Sequence, residues 1–184
     1  MCKGVQMRII GGKLKGKKVV LPQHYKARPT TDFAREGLFN SLENEFDLSN
    51  TSLLDLFGGT GSISAEFISR GGAEGVCVEM NSTNSSFISK MFRTLGISSV
   101  RVVHCNVFDF LELCNRTFDF VFADPPYDLE GLDTIPNKIL ERNILSGFGY
   151  FILEHPADYS FKDHPNFVKE KKYGNVHFSF FNKS

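Results

Sequence analysis

Three short segments carry side chains that could do chemistry. Asp124-Pro125-Pro126-Tyr127 offers a carboxylate, consecutive carbonyls and an aromatic plane, but no nucleophile. Two successive prolines lock the backbone and remove two N–H donors, so the acceptors around them are held rigidly. That set suits an exocyclic amino group on a planar base. The acceptors hold the amine hydrogens, the lone pair is left toward an electrophile, and the ring stacks on the tyrosine. Taken alone, the tetrapeptide also reads as a rigid turn. The second segment is Leu54-Asp55-Leu56-Phe57-Gly58-Gly59-Thr60-Gly61. Its glycines let a ligand approach the backbone, and a helix starting after them presents free N–H groups. It is not a phosphate-binding P-loop, because no Lys-Ser/Thr follows. It is a poor dinucleotide fingerprint too, because the third glycine of that pattern, counted from Gly59, falls at Ser64. A tight strand-to-helix connection is the plain alternative. The third feature is Glu79, ending the apolar run Val76-Cys77-Val78 about 20 residues after the glycine turn, where an open α/β sheet sets a carboxylate against ribose hydroxyls.

The elements that must position these groups are legible as alternating strands and helices. Ser52–Phe57 reads as a strand ending in the glycine turn, followed by a helix over Ser62–Arg70. Strands at Gly75–Met80 and Val100–Cys105 are each followed by a helix, Ser82–Leu95 and Val107–Leu113. Phe118–Ala123 is nearly all apolar, as a central parallel strand covered on both faces must be. A helix over Leu132–Arg142 leads to a strand at Gly149–Glu154, and Phe167–Phe181 alternates around a turn at Gly174-Asn175, which reads as a hairpin. Repeated β-α units predict a mostly parallel, doubly wound sheet of seven strands with an antiparallel pair at its end. Ahead of it, Met7–Val20 reads as a short hairpin, and Thr30, Thr31 and Asp32 cap a helix carrying Ala34, Leu38, Phe39, Leu42 and Phe46. The expected division is a basic arm over residues 1–30 and a catalytic domain over residues 31–184.

The chain has 184 residues and equal numbers of basic and acidic side chains, 21 of each. The zero sum hides a split. Residues 1–35 hold nine basic side chains and one acidic one, and the rest holds 12 basic and 20 acidic, giving +8 and −8. A basic arm beside an acidic body is a footprint of polyanion binding, although a solvated hairpin would look the same. Composition excludes a disordered or collagenous chain, and no apolar run reaches the roughly 18 residues that span a bilayer. Cys2, Cys77, Cys105 and Cys114 have no metal-ligand spacing with the histidines, so no metal and a reduced, cytoplasmic protein are expected.

The residues together resemble the class I S-adenosylmethionine-dependent methyltransferases, and within them the RsmD-type 16S rRNA (guanine-N2) methyltransferases. The likeness rests on Arg8-Ile-Ile-Gly-Gly, Arg28-Pro-Thr-Thr-Asp, Arg35-Glu-Gly-Leu-Phe-Asn, the glycine turn, Ser69-Arg-Gly-Gly-Ala, Asp124-Pro-Pro-Tyr and Lys172-Tyr-Gly-Asn-Val-His-Phe. It implies a Rossmann-like domain that takes S-adenosylmethionine and releases S-adenosylhomocysteine. It assigns Asp55, Gly58, Gly59 and Gly61 to the cofactor's methionine side, Glu79 to its ribose hydroxyls and Asn106 to its adenine with Val107 packing nearby, and it places Phe57 and Met80 among the cofactor-binding residues. Asp124 and the Pro125 carbonyl would hold the guanine N2 amine, with Pro126 stiffening the turn and Tyr127 stacking on the base. Arg8, Lys13, Lys15, Lys17, Lys18, Arg28 and Arg35 would hold RNA phosphates of 16S rRNA or the assembling small subunit, with guanine 966 as the target. Gly59 and Asn106 stand where many members have Ala and Asp. The Asp-Pro-Pro-Tyr motif is shared with DNA adenine and cytosine amino-methyltransferases. A DNA enzyme of that kind and a non-catalytic RNA-binding assembly factor therefore stand as alternatives.

Overall fold

A computed structural model describes residues 5–23, 25 and 30–183. Two short strands, β1 (Gln6–Arg8) and β2 (Lys18–Val20), pair antiparallel around a single 3-10 turn at Gly12–Leu14. Helix α1 (Asp32–Glu45) follows, capped by the Thr31 hydroxyl, which accepts the Ala34 N–H. The body then alternates: β3 (Ser52–Leu56), α2 (Ser62–Ser69), β4 (Glu74–Glu79), α3 (Ser82–Leu95), β5 (Val100–His104), α4 (Val107–Leu113) and β6 (Phe118–Ala123). Helix α5 (Ile135–Leu140), β7 (Leu145–His155), β8 (Phe167–Tyr173) and β9 (Val176–Phe181) complete it.

The seven body strands form one sheet in the order β5-β4-β3-β6-β7-β9-β8, parallel from β5 to β7 and antiparallel at β9 and β8. Strand order reverses direction beside β3, so the carboxyl ends of β3, β4 and β6 border a crevice. Alternation along each strand sorts the core into two layers. Leu53, Cys77, Phe120, Phe122, Ile152 and Phe178 face α1, α2 and α3, whereas Leu54, Val76, Val121, Phe151 and Leu153 face α4 and α5. Met7, Ile9 and Leu21 of the β1–β2 region join the first layer.

Two elements differ by more than one residue at a boundary from those read in the sequence. The helix expected over Leu132–Arg142 is a 3-10 turn, Leu132–Thr134, followed by only six α-helical residues. Pro136 has no N–H to give and is tolerated only in a first turn, so the α-helix begins beside it. Strand β7 starts four residues before Gly149, at Leu145, because a bulge opposite Phe118–Phe120 carries the pairing further back. No helix among the described residues is long and apolar enough to cross a membrane.

Candidate active site

Four carboxylates stand along the carboxyl edge of four adjacent strands. Asp55 of β3 lies level with Cys77, Phe122 and Ile152 of its neighbours, and Glu79, Asp124 and Glu154 follow one pleat beyond those three. Side chains two apart on a strand share a face. All four therefore project on the face that α1, α2 and α3 cover, and they border one cavity of about 850 Å³. No Lys, Arg or His lines that cavity among the described residues. An acidic pocket without cations is a strong field for a positively charged ligand.

The glycine turn shapes one wall. Phe57 has φ +61°, a left-handed conformation that is uncommon for a residue other than glycine and that ends β3 one residue earlier than expected. The Gly58 N–H donates to the Val78 carbonyl at 2.8 Å, and a Cβ on Gly58 would come within 2.5 Å of Cys77 Sγ. Glu79 receives the Gly59 N–H at 2.8 Å on one carboxylate oxygen and the Asn81 N–H at 2.7 Å on the other. Each oxygen keeps a lone pair for a hydroxyl. Asp55 is buried and accepts from the N–H (3.2 Å) and the hydroxyl (2.6 Å) of Ser64, while burial still pushes its carboxyl up to about 7.

At the opposite side, Asn106 caps α4 by accepting the Phe108 N–H at 2.8 Å, and its amide lies 3.5 Å from Met80 Sδ. Val107, Phe108 and Met80 line the cavity beside it. Asp124 directly follows β6, with Pro125 buried and Pro126 and Tyr127 exposed beyond it. Glu154, 3% exposed, accepts from the Thr30 hydroxyl at 2.9 Å and from the Tyr127 hydroxyl at 3.5 Å. Burial and mutual repulsion push the Glu154 carboxyl up, and burial does the same to Asp124.

The cavity thus gathers Asp55, Phe57, Gly58, Gly59, Glu79, Met80, Asn106, Val107, Asp124, Pro125, Pro126 and Tyr127. One glycine stands behind the described lining, and one expectation is corrected. Gly61 does not line the cavity: it holds φ +73° at the start of α2, packed where a Cβ would press on Ile88. Arg35 is not an RNA ligand. It is 1% exposed, because it shares the core-facing side of α1 with Leu38 and Phe39, and it donates to the Arg8 carbonyl and to Asp32 at 2.9 Å. Its Nε lies 3.6 Å from the buried Glu66 carboxylate. Arg8 is exposed and paired with Asp32 at 3.3 Å, while Lys13, Lys15, Lys17 and Lys18 are exposed on the β1–β2 ribbon, away from the cavity lining. Arg28 lies outside the described residues. Sequence reasoning missed Glu154, Thr30, Tyr25 and Phe33, all of which border the cavity. Glu154 was within reach: a lone acid ending an apolar parallel strand is the same signal that marked Glu79.

The strand order, the acid-bordered crevice at its reversal point and the Asp-Pro-Pro-Tyr turn define a Rossmann-like methyltransferase. The chain belongs to the RsmD family: the family model described as Conserved hypothetical protein 95 matches residues 7–182. It is 29% identical over 179 residues to Ribosomal RNA small subunit methyltransferase D of Buchnera aphidicola subsp. Baizongia pistaciae, covering 95% of this chain and 91% of that protein. Its identity to the protein of the same name from Escherichia coli K12 is 37% over 138 residues, 75% of this chain and 68% of that one. A solved Escherichia coli structure, provisionally described as a methyltransferase, is 30% identical with a TM-score of 0.84, covering 98% and 99% of the two chains.

Proposed function

We propose that this chain methylates the N2 amine of a guanine in small-subunit rRNA, by resemblance guanine 966, with S-adenosylmethionine as methyl donor. The observation that carries the reading is the row of carboxylates in a cavity that, among the described residues, no cation lines, with the acceptor-rich Asp124-Pro125 turn at its end. The donor set fits the group, because a sulfonium is cationic and the cavity is acidic. When bound, S-adenosylmethionine supplies an already activated methyl and leaves as S-adenosylhomocysteine.

The chain's own residues then bind, orient and exclude water. Glu79 is pre-set by two backbone N–H donors to accept ribose hydroxyls, and Asn106 and Val107 border the adenine side. Asp124 and the Pro125 carbonyl hold the two N2 hydrogens, so the amine lone pair is aimed and positive charge developing on nitrogen is stabilised. Tyr127, 49% exposed, gives the base a plane to stack on. Taking the base out of its stack costs a few kcal/mol. Arg8 and the exposed arm lysines offset that cost by holding phosphates. The names of the curated relatives support small-subunit rRNA as the polymer.

The test is transfer of labelled methyl to protein-depleted small-subunit rRNA, compared with DNA and followed by nucleoside mass mapping. The expected product is N2-methylguanosine in the rRNA. Label in DNA alone would point to a DNA amino-methyltransferase, and cofactor binding without turnover would point to an assembly factor.

A further inference from the structure

Glu154 is the acid that the proposed reaction does not use. It sits where β7 runs parallel to β6, and the in-register pair Phe122↔Ile152 puts Asp124 and Glu154 beside each other, one pleat further on. Both face the cavity, and no basic residue pairs with Glu154 among the described residues. Its hydrogen-bond partners are two hydroxyls, from Thr30 and Tyr127, so its position is set on both sides. A buried carboxylate supported only by hydroxyls is costly to keep, and a fold keeps one where a ligand supplies the missing donors.

The chemistry of amino-bearing bases says which donors. Adenine and cytosine present, beside the amine, a ring nitrogen with a lone pair. Guanine presents a ring N1–H beside its N2 amine, so its edge offers three hydrogens in a row. Asp124 and the Pro125 carbonyl account for two of them. Resting on the reaction proposed above, we infer that Glu154 is the specificity residue for guanine: its carboxylate accepts the N1–H while Asp124 and Pro125 hold the N2 amine. A base with a lone pair at that ring position sets it against a carboxylate, and the mismatch rejects it. Burial and the neighbouring Asp124 push the Glu154 carboxyl up to about 8, so the rejection belongs to the ionised form and fades at lower pH, where a protonated carboxyl can donate to a ring nitrogen.

The discriminating probe is 2-aminopurine. It keeps the 2-amino group but carries a lone pair in place of the N1–H. Small-subunit rRNA fragments carrying guanine or 2-aminopurine at the mapped target are compared at mildly alkaline pH, for methyl transfer and, without cofactor, for equilibrium binding. Wild type should favour guanine on the order of tenfold to a hundredfold in both readouts, the size expected for one unsatisfied buried group. Glu154→Gln, whose amide can turn a donor toward the ring nitrogen, should bring that ratio close to one, with cofactor affinity unchanged. A merely structural Glu154 would lower both RNAs alike and leave the ratio intact, which would overturn the inference. Should Glu154→Gln fail to fold, the wild-type ratio decides: equal treatment of the two RNAs would overturn it. If wild type modifies neither RNA, the proposed reaction itself falls and the inference with it. Turnover of guanine at an unselective site removes only the inference.

Discussion

Asp124→Ala removes an acceptor for the reacting amine without touching the ribose or adenine side of the cavity. We expect methyl transfer to fall about 100-fold or more while cofactor affinity holds, measured by turnover and by titration calorimetry. Retained activity would take Asp124 out of the reaction. Arg35→Ala should act in the opposite way. It removes a cation from beside Glu66 and Asp32 and empties a packed site, and should lower the melting temperature, but it should leave the salt dependence of RNA binding unchanged, since Arg35 is 1% exposed. Asp55 gives a pH signature. Its carboxyl rises from 3.8 unfolded to about 7 folded, so the protonated form favours the fold. That contribution is complete below about pH 4 and is lost as pH rises through about 7. Thermal melts of the cofactor-free protein should therefore show wild type losing stability relative to Asp55→Asn between about pH 5 and 8. Parallel curves would exclude the shift. Asp55 is picked out by the family resemblance alone, whereas Glu79 and Asp124 could be singled out from sequence because they stand at or just past the end of a recognisable strand. The burial of Arg35 could not, because it depends on Glu66 meeting it from another helix.

The β1–β2 ribbon is fastened to α2 by two side chains. Glu66, fully buried, accepts the N–H groups of Ile10 (2.9 Å) and Gly11 (2.7 Å) and pairs with Arg70 at 2.8 Å. Ser69 adds a hydroxyl that receives the Leu14 N–H at 2.9 Å. Glu66→Ala leaves two amides without their acceptor and removes the buried carboxylate beside the Arg70 and Arg35 guanidiniums, and should cost about 3–5 kcal/mol in chemical denaturation. Gly12→Ala attacks the same junction from the other side. Its φ is +71°, and a Cβ there would sit 1.8 Å from the Ser69 carbonyl oxygen, so the ribbon should detach from α2 and amide exchange at Ile10 and Gly11 should accelerate. The strands and helices themselves were legible from periodicity and caps. Their attachments were not, because a Glu inside the Ser62–Ser69 helix gives no sign in sequence of whether it meets water or two backbone amides.

Over the whole molecule, the neutral sum of charges separates into a cationic ribbon and an anionic crevice. Replacing Lys13, Lys15, Lys17 and Lys18 with Gln should weaken RNA binding and flatten its dependence on salt, by up to ~0.7 in the log–log slope for each phosphate no longer held. An unchanged slope would move the RNA elsewhere on the surface. In the crevice, a cationic cofactor favours the ionised form of carboxyls that burial holds protonated. Cofactor binding near neutral pH should then release protons, seen as a binding enthalpy that changes with the buffer's heat of ionisation.

The row of acids across β4, β3, β6 and β7 has one more effect. The same sheet topology serves proteins that hold nucleotides by their phosphates, and a cell offers those molecules in abundance. Here a phosphate chain would face carboxylates and find no lysine among the lining residues described. Where those carboxyls are ionised, they repel ATP and dinucleotides from the described lining before shape is ever consulted.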